Sequence, residues 1–67
     1  MFNTMKKLTK TEFNKLTPKQ KGYAVYMQGE WNTNIPNQNI YKKGTIKYNQ
    51  WNDGNFQAML EIQDMEE

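Results

Sequence analysis

Thr17-Pro18-Lys19-Gln20 is a helix start written in side-chain chemistry. A threonine before the first turn accepts a hydrogen bond from the backbone N–H three residues on, and a glutamine there reaches back to the threonine N–H. Proline at the first helical position gives up only an N–H that has no helical partner. This start predicts a helix over residues 17–29, closed by Gly29 in the left-handed conformation that commonly follows a last turn. At about 100° per residue, Leu16, Tyr23, Ala24, Met27 and Trp31 gather on one side, and Gly22, Val25, Tyr26 and Gly29 on the other. A helix apolar on both sides is held between two neighbours, or between one neighbour and a partner. Glycine inside a helix costs about 1 kcal/mol relative to alanine, so Gly22 calls for a close backbone approach.

The remaining elements follow from similar signals. Residues 1–8 read as a flexible start. Residues 9–16 predict a short helix capped by Thr9 or Thr11, with Leu8, Phe13 and Leu16 as its apolar contacts. Residues 30–44 form a connection longer than most helix–helix linkers. Trp31, Ile35-Pro36 and Ile40-Tyr41 predict that it is packed, and Lys42-Lys43-Gly44 closes it. Thr45 caps a second long helix over residues 45–64. Its stripe contains Tyr48, Trp51, Asn52, Asn55, Ala58, Met59 and Ile62, with Gly54 beside it and Phe56 and Leu60 on a second face. An antiparallel arrangement would bring Gly54 near Gly22 and Gly29, where small residues let helices pack closely. Residues 65–67 are an acidic tail at the unfavourable end of the helix dipole, so the last turn is expected to fray. The expectation is one all-α domain over residues 1–67: a helical hairpin with a long packed linker and an additional short N-terminal helix.

Its core must be thin. Of 67 residues, 24 are apolar, and Leu, Ile and Val supply only eight of these. No cysteine is present to reinforce the fold with a disulfide. At this size burial and chain entropy nearly cancel, so a partner or self-association would help complete the structure. The sequence also has no His, Ser or Arg. It lacks the serine or cysteine nucleophile, the imidazole base and the ordinary zinc ligands. Asp53, Glu61 and Asp64 read as solvated charge, so no enzyme activity, metal or cofactor is expected. No stretch approaches the roughly 20 apolar residues of a membrane span, and no apolar run follows Lys6-Lys7 as in a secretory signal. The expected location is cytoplasmic.

The formal charge of +2 conceals a gradient. Residues 1–50 carry all nine lysines against Glu12 and Glu30, a charge of +7, whereas residues 51–67 carry −5. Lys6, Lys7, Lys10, Lys15, Lys19 and Lys21 fall in the first third; Lys42, Lys43 and Lys47 flank the start of the second helix. Interleaved with Trp31, Tyr41 and Tyr48, these residues suit RNA, with ammonium groups on phosphates and aromatic rings on unpaired bases. The same charges also suit a solvated surface, and the aromatics also suit a core. Asn55 stands where packing favours carbon, so it should be hydrogen-bonded, face a linker carbonyl, or contact a partner.

Lys21-Gly22-Tyr23, Gly29, Pro36, Gln50-Trp51, Gly54 and Ala58-Met59 form an ordered skeleton over residues 18–62. In order and spacing it resembles the ribosome modulation factor family of small bacterial and phage proteins. The resemblance implies two helices joined by a long linker. It also implies binding to ribosomal RNA on the small ribosomal subunit and down-regulation of translation. Gly22, Gly29, Trp51, Gly54 and Ala58 match as helix-packing residues. The family is rich in arginine, whereas this chain has none; Asn37 and Asn55 replace aromatic residues of the family pattern. A second expectation therefore stands beside the first: a phage-type inhibitor or adaptor that docks on a host protein through Phe56 and Leu60, or a homodimer through such faces.

Overall fold

Capping chemistry sets each helix start. A computed structural model describes residues 6–66, and among these there are three helices and no strand. Helix α1 spans Lys10–Asn14, α2 Pro18–Gln28 and α3 Ile46–Glu66. Thr9 Oγ1 accepts from Glu12 N at 3.1 Å, and the Glu12 carboxylate accepts from Thr9 N at 3.0 Å. Thr17 and Gln20 repeat the reciprocal pair at 3.2 and 2.9 Å. At α3, Thr45 Oγ1 accepts from Tyr48 N at 3.1 Å and donates to the Lys42 carbonyl at 2.7 Å. The expected all-α class holds. Residues 1–5 of the expected flexible start, and Glu67 of the expected tail, lie outside the described residues.

Two helix ends differ from expectation. Gly29 is right-handed, at φ −62°, and its N–H bonds to the Val25 carbonyl at 2.7 Å. The chain keeps turning beyond it: Asn32 N reaches the Gln28 carbonyl at 2.8 Å, so no left-handed residue is needed there. The glycine with positive φ is Gly44, at +88°, in the turn before α3. The expected start of the acidic tail at residue 65 is corrected as well, because α3 continues through Glu66. Asp64 is solvent-exposed, and solvent weakens an unfavourable charge–dipole interaction at such a position.

Helices α2 and α3 cross at Gly22 and Gly54. A Cβ on Gly22 would overlap the Trp51 carbonyl, and one on Gly54 would overlap the Lys19 carbonyl. Gly29 is not part of this crossing; it lies against Val25 and the Asn37 backbone of the linker. Asn55 Nδ2 donates to the Gly22 carbonyl at 3.0 Å, so the polar residue in the α3 stripe bridges the helices. The Tyr23 hydroxyl adds a second tie by donating to the Glu61 carboxylate.

The two-sided α2 has its second neighbour in residues 6–16. Phe13, Ala24, Val25, Ile35 and Trp51 form the buried cluster, with Leu8, Leu16 and Tyr41 against it. Each large apolar side chain buried in this way contributes about 1.5–3 kcal/mol. Polar residues do comparable positioning. Gln28 and Asn32 are each 1% exposed. Gln28 Oε1 accepts from Leu8 N at 3.1 Å, its Nε2 donates to the Lys6 carbonyl, and Asn32 Nδ2 reaches the Leu8 carbonyl at 3.0 Å. These amides clasp the segment before α1 onto the end of α2. In the linker, Ile35 is buried and Tyr41 half-buried, but Trp31 and Ile40 are exposed. Asn39 supplies the anchor that Ile40 does not, donating to the Tyr48 carbonyl at 3.1 Å and accepting from Tyr41 N at 3.0 Å. Among the described residues, no helix is long and apolar enough to cross a membrane.

Candidate nucleic-acid interface

Lys21 lies at the junction of three segments. It projects from α2 between the Phe13 ring of α1 and the Tyr41 ring of the linker, with Nζ 5.6 Å and 5.7 Å from their centroids. A cation facing aromatic rings is attracted by their quadrupoles. The arrangement exists because residues 6–16 fold back on α2 and because Tyr41 packs against the core cluster. It also joins two lysine groups that are distant in sequence. Lys10 and Lys15 flank Phe13, and Lys42 and Lys43 follow Tyr41; all four are exposed.

The turn Lys42-Lys43-Gly44 leads into α3, and Lys47 occupies its first turn, where there is no acidic residue. The helix N-terminus adds partial positive charge to the three ammonium groups. Thr45 takes the Tyr48 N–H, while the amides of the preceding first-turn positions have no helical carbonyl to bond. The charge at this end of α3 suits an anion such as phosphate.

The other candidate cations divide by environment. Lys7 and Lys19 are exposed. Lys6 is committed to Glu12, at 2.8 Å. That hydrogen-bonded pair, helped by the Thr9 N–H, lowers the Glu12 pKa to about 2. Trp31 is 54% exposed, and its Nε1 donates to the Met27 carbonyl at 3.3 Å, which fixes the ring on the surface. Tyr48 is half-buried beside the Asn39 anchor.

Trp51 and Ala58 are buried, with Ala58 at 0% exposure, alongside the glycine crossing. Phe56 and Leu60 are 57% and 39% exposed, one turn apart on α3. At the α2–α3 junction, Tyr23 donation lowers the Glu61 pKa, with Gln57 assisting. The same bond raises the Tyr23 pKa, because the hydroxyl must keep its proton to donate.

Sequence reasoning missed a second arrangement. Val25, Tyr26, Glu30, Asn37, Trp51 and Asn55 line a cavity of about 420 Å³ where α2, the linker and α3 meet. Glu30 and Asn37 read only as linker residues in one dimension; the helix crossing brings them to Trp51. No family model, curated protein or solved structure matches the chain.

Proposed function

We propose that this protein binds RNA on the ribosome and down-regulates translation, in the manner of the ribosome modulation factor family that its glycine–tryptophan skeleton resembles. The observation that carries the reading is Lys21 between Phe13 and Tyr41. This junction connects the α1 lysines to the Lys42-Lys43 turn, so one strand could meet cations contributed by three segments. Lys10, Lys15, Lys42, Lys43 and Lys47 would neutralise phosphates, and exposed Trp31 would stack on an unpaired base. The crossed helices would act as a rigid support.

The test is co-sedimentation with ribosomes across a salt series, with and without ribonuclease. RNA binding by several lysines predicts strong association at low salt and a steep loss as salt rises. No association at low salt would overturn the reading.

Exposed Phe56 and Leu60 favour a second reading, in which α3 docks on a host protein as an inhibitor or adaptor. That reading predicts nuclease-resistant recovery of one non-ribosomal protein, lost on Phe56→Asp. A chain that scatters light as a homodimer would assign the same face to self-association.

A further inference from the structure

We propose that the outward face of α3 pairs with the same face of a second copy of this chain, the two helices running antiparallel across a twofold axis between Phe56 and Leu60. The inference goes beyond the RNA reading and does not rest on it. Trp51, Gly54 and Ala58 turn one side of α3 to the core. At about 100° per residue, Asn49, Asp53, Phe56, Leu60 and Gln63 fall on the opposite side, and all five are exposed. Their spacing of four, three, four and three residues is that of a coiled-coil seam. Phe56 and Leu60, 57% and 39% exposed, are its apolar centre.

Charge selects the occupant and its direction. Lys42, Lys43 and Lys47 surround the start of α3, and residues 42–50 include no acidic residue. Residues 51–67 carry five carboxylates and no lysine. The helix dipole has the same sense, positive at the start and negative at the end. A second copy turned end for end carries this pattern in reverse, so each basic start comes next to an acidic end. A twofold interface requires such a self-complementary surface. Parallel pairing would instead set Asp53 against Asp53 and lysine turn against lysine turn. In the antiparallel pair, Phe56 of each copy faces Leu60 of the partner subunit. Asp53, which has no ion pair among the described residues, faces the partner's Gln63, whose amide is a donor for a carboxylate. The two Asp53 side chains stand ten residues apart along the pair, about 15 Å at 1.5 Å per residue. A face one helix wide makes a small interface, so monomer and dimer exchange with concentration.

Sedimentation equilibrium of the full chain, from micromolar to millimolar concentration, tests the pairing. The mass should rise from one chain of 8.0 kDa to two. Phe56→Asp, at an exposed site, should keep the parent's circular dichroism and move the dimerisation midpoint upward at least about tenfold in concentration. Disulfide cross-linking of single-cysteine variants reads the direction, since the chain has no cysteine of its own. Gln57→Cys lies beside the axis, about 3 Å from its copy along the pair, whereas Asn49→Cys lies about 27 Å from its copy. The first variant should cross-link readily and the second should not. A chain that stays monomeric at millimolar concentration overturns the proposal and leaves the face to a host protein. A dimer whose midpoint is unmoved by folded Phe56→Asp uses another face and overturns it too. Cross-linking of Asn49→Cys as fast as Gln57→Cys overturns the antiparallel order. Should Phe56→Asp lose helix, Leu60→Gln replaces it, and the cysteine pair decides independently.

Discussion

The carbonyl oxygen of Trp51 stands where a side chain on Gly22 would begin, and the carbonyl of Lys19 stands in the same relation to Gly54. Each glycine thus faces the carbonyl three residues before the other. Backbone lies against backbone at both points, so no rotamer change can make room. Gly22→Ala and Gly54→Ala must each force the helices apart, at a cost of at least about 3 kcal/mol. A domain of this size has little more than that in total, so urea melts should show either variant largely unfolded. Gly44→Ala is the contrasting case. Open space surrounds its Cβ position, and only the φ of +88° resists, so the loss should be about 1–2 kcal/mol.

Gln28 holds the segment before α1 through the Leu8 N–H and the Lys6 carbonyl. Gln28→Ala leaves these groups and the Asn32 amide short of partners, and the cost should be about 2–3 kcal/mol. Much of the loss should be local. Hydrogen exchange should show the Leu8 amide released first, while amides of α3 stay protected. Equal acceleration at Leu8 and throughout α3 would contradict a separable clasp.

Glu12 gives the N-terminal segment a pH dependence. Its carboxyl is held at about 2, chiefly by the Lys6 hydrogen bond, against 4.5 ordinarily. A carboxyl lowered by folding stabilises the fold above its unfolded pKa and loses that contribution as pH falls through its folded value. The α1 segment should therefore weaken between about pH 4.5 and 2. Both partners are well exposed, so salt should reduce the effect. A carbon-detected titration of the Glu12 carboxyl checks the midpoint. Lys6→Gln should move it upward, and Glu12→Gln should remove this part of the acid sensitivity.

Reading the chain in one dimension succeeded where the chemistry is local. Thr17 and Gln20 are three residues apart, so their reciprocal bond is visible in the string, as is the Thr45 cap. Gly22 and Gly54 were legible as demands for close approach because glycine inside a helix needs a reason. Gln28 and Asn32 were not, since their burial depends on the backbone of Lys6 and Leu8, more than twenty residues away. Gly29 looked like the left-handed residue, yet Asn32 N–H takes the Gln28 carbonyl and leaves that role to Gly44. The lysines of the candidate interface could be named one by one. Their junction at Lys21 could not, because Phe13 and Tyr41 meet it only after two separate segments fold onto α2. The cavity beside Trp51 escaped for the same reason: Glu30 and Asn37 reach it from the linker.

Lysines of one interface should fail in different ways when neutralised. Lys42 and Lys43 are exposed on the turn before α3 and face no aromatic ring among the described cation–ring pairs. The double variant Lys42→Gln, Lys43→Gln should keep its thermal midpoint. If these side chains meet phosphates, the slope of log affinity against log salt should flatten by about 0.7 for each single-strand phosphate that is no longer neutralised. Lys21 differs because its ammonium faces Phe13 and Tyr41. Lys21→Gln should cost about 0.5–1 kcal/mol of stability even without RNA. It should also weaken binding by loosening the junction between α1 and the turn. Lys21→Arg keeps a cation between the rings, in a planar form that can stack on them, and should restore stability. Thermal melts and ribosome co-sedimentation on the same preparations separate these effects. A lysine pair whose neutralisation leaves the salt slope unchanged is outside the interface, and the α1 lysines would then have to carry the binding.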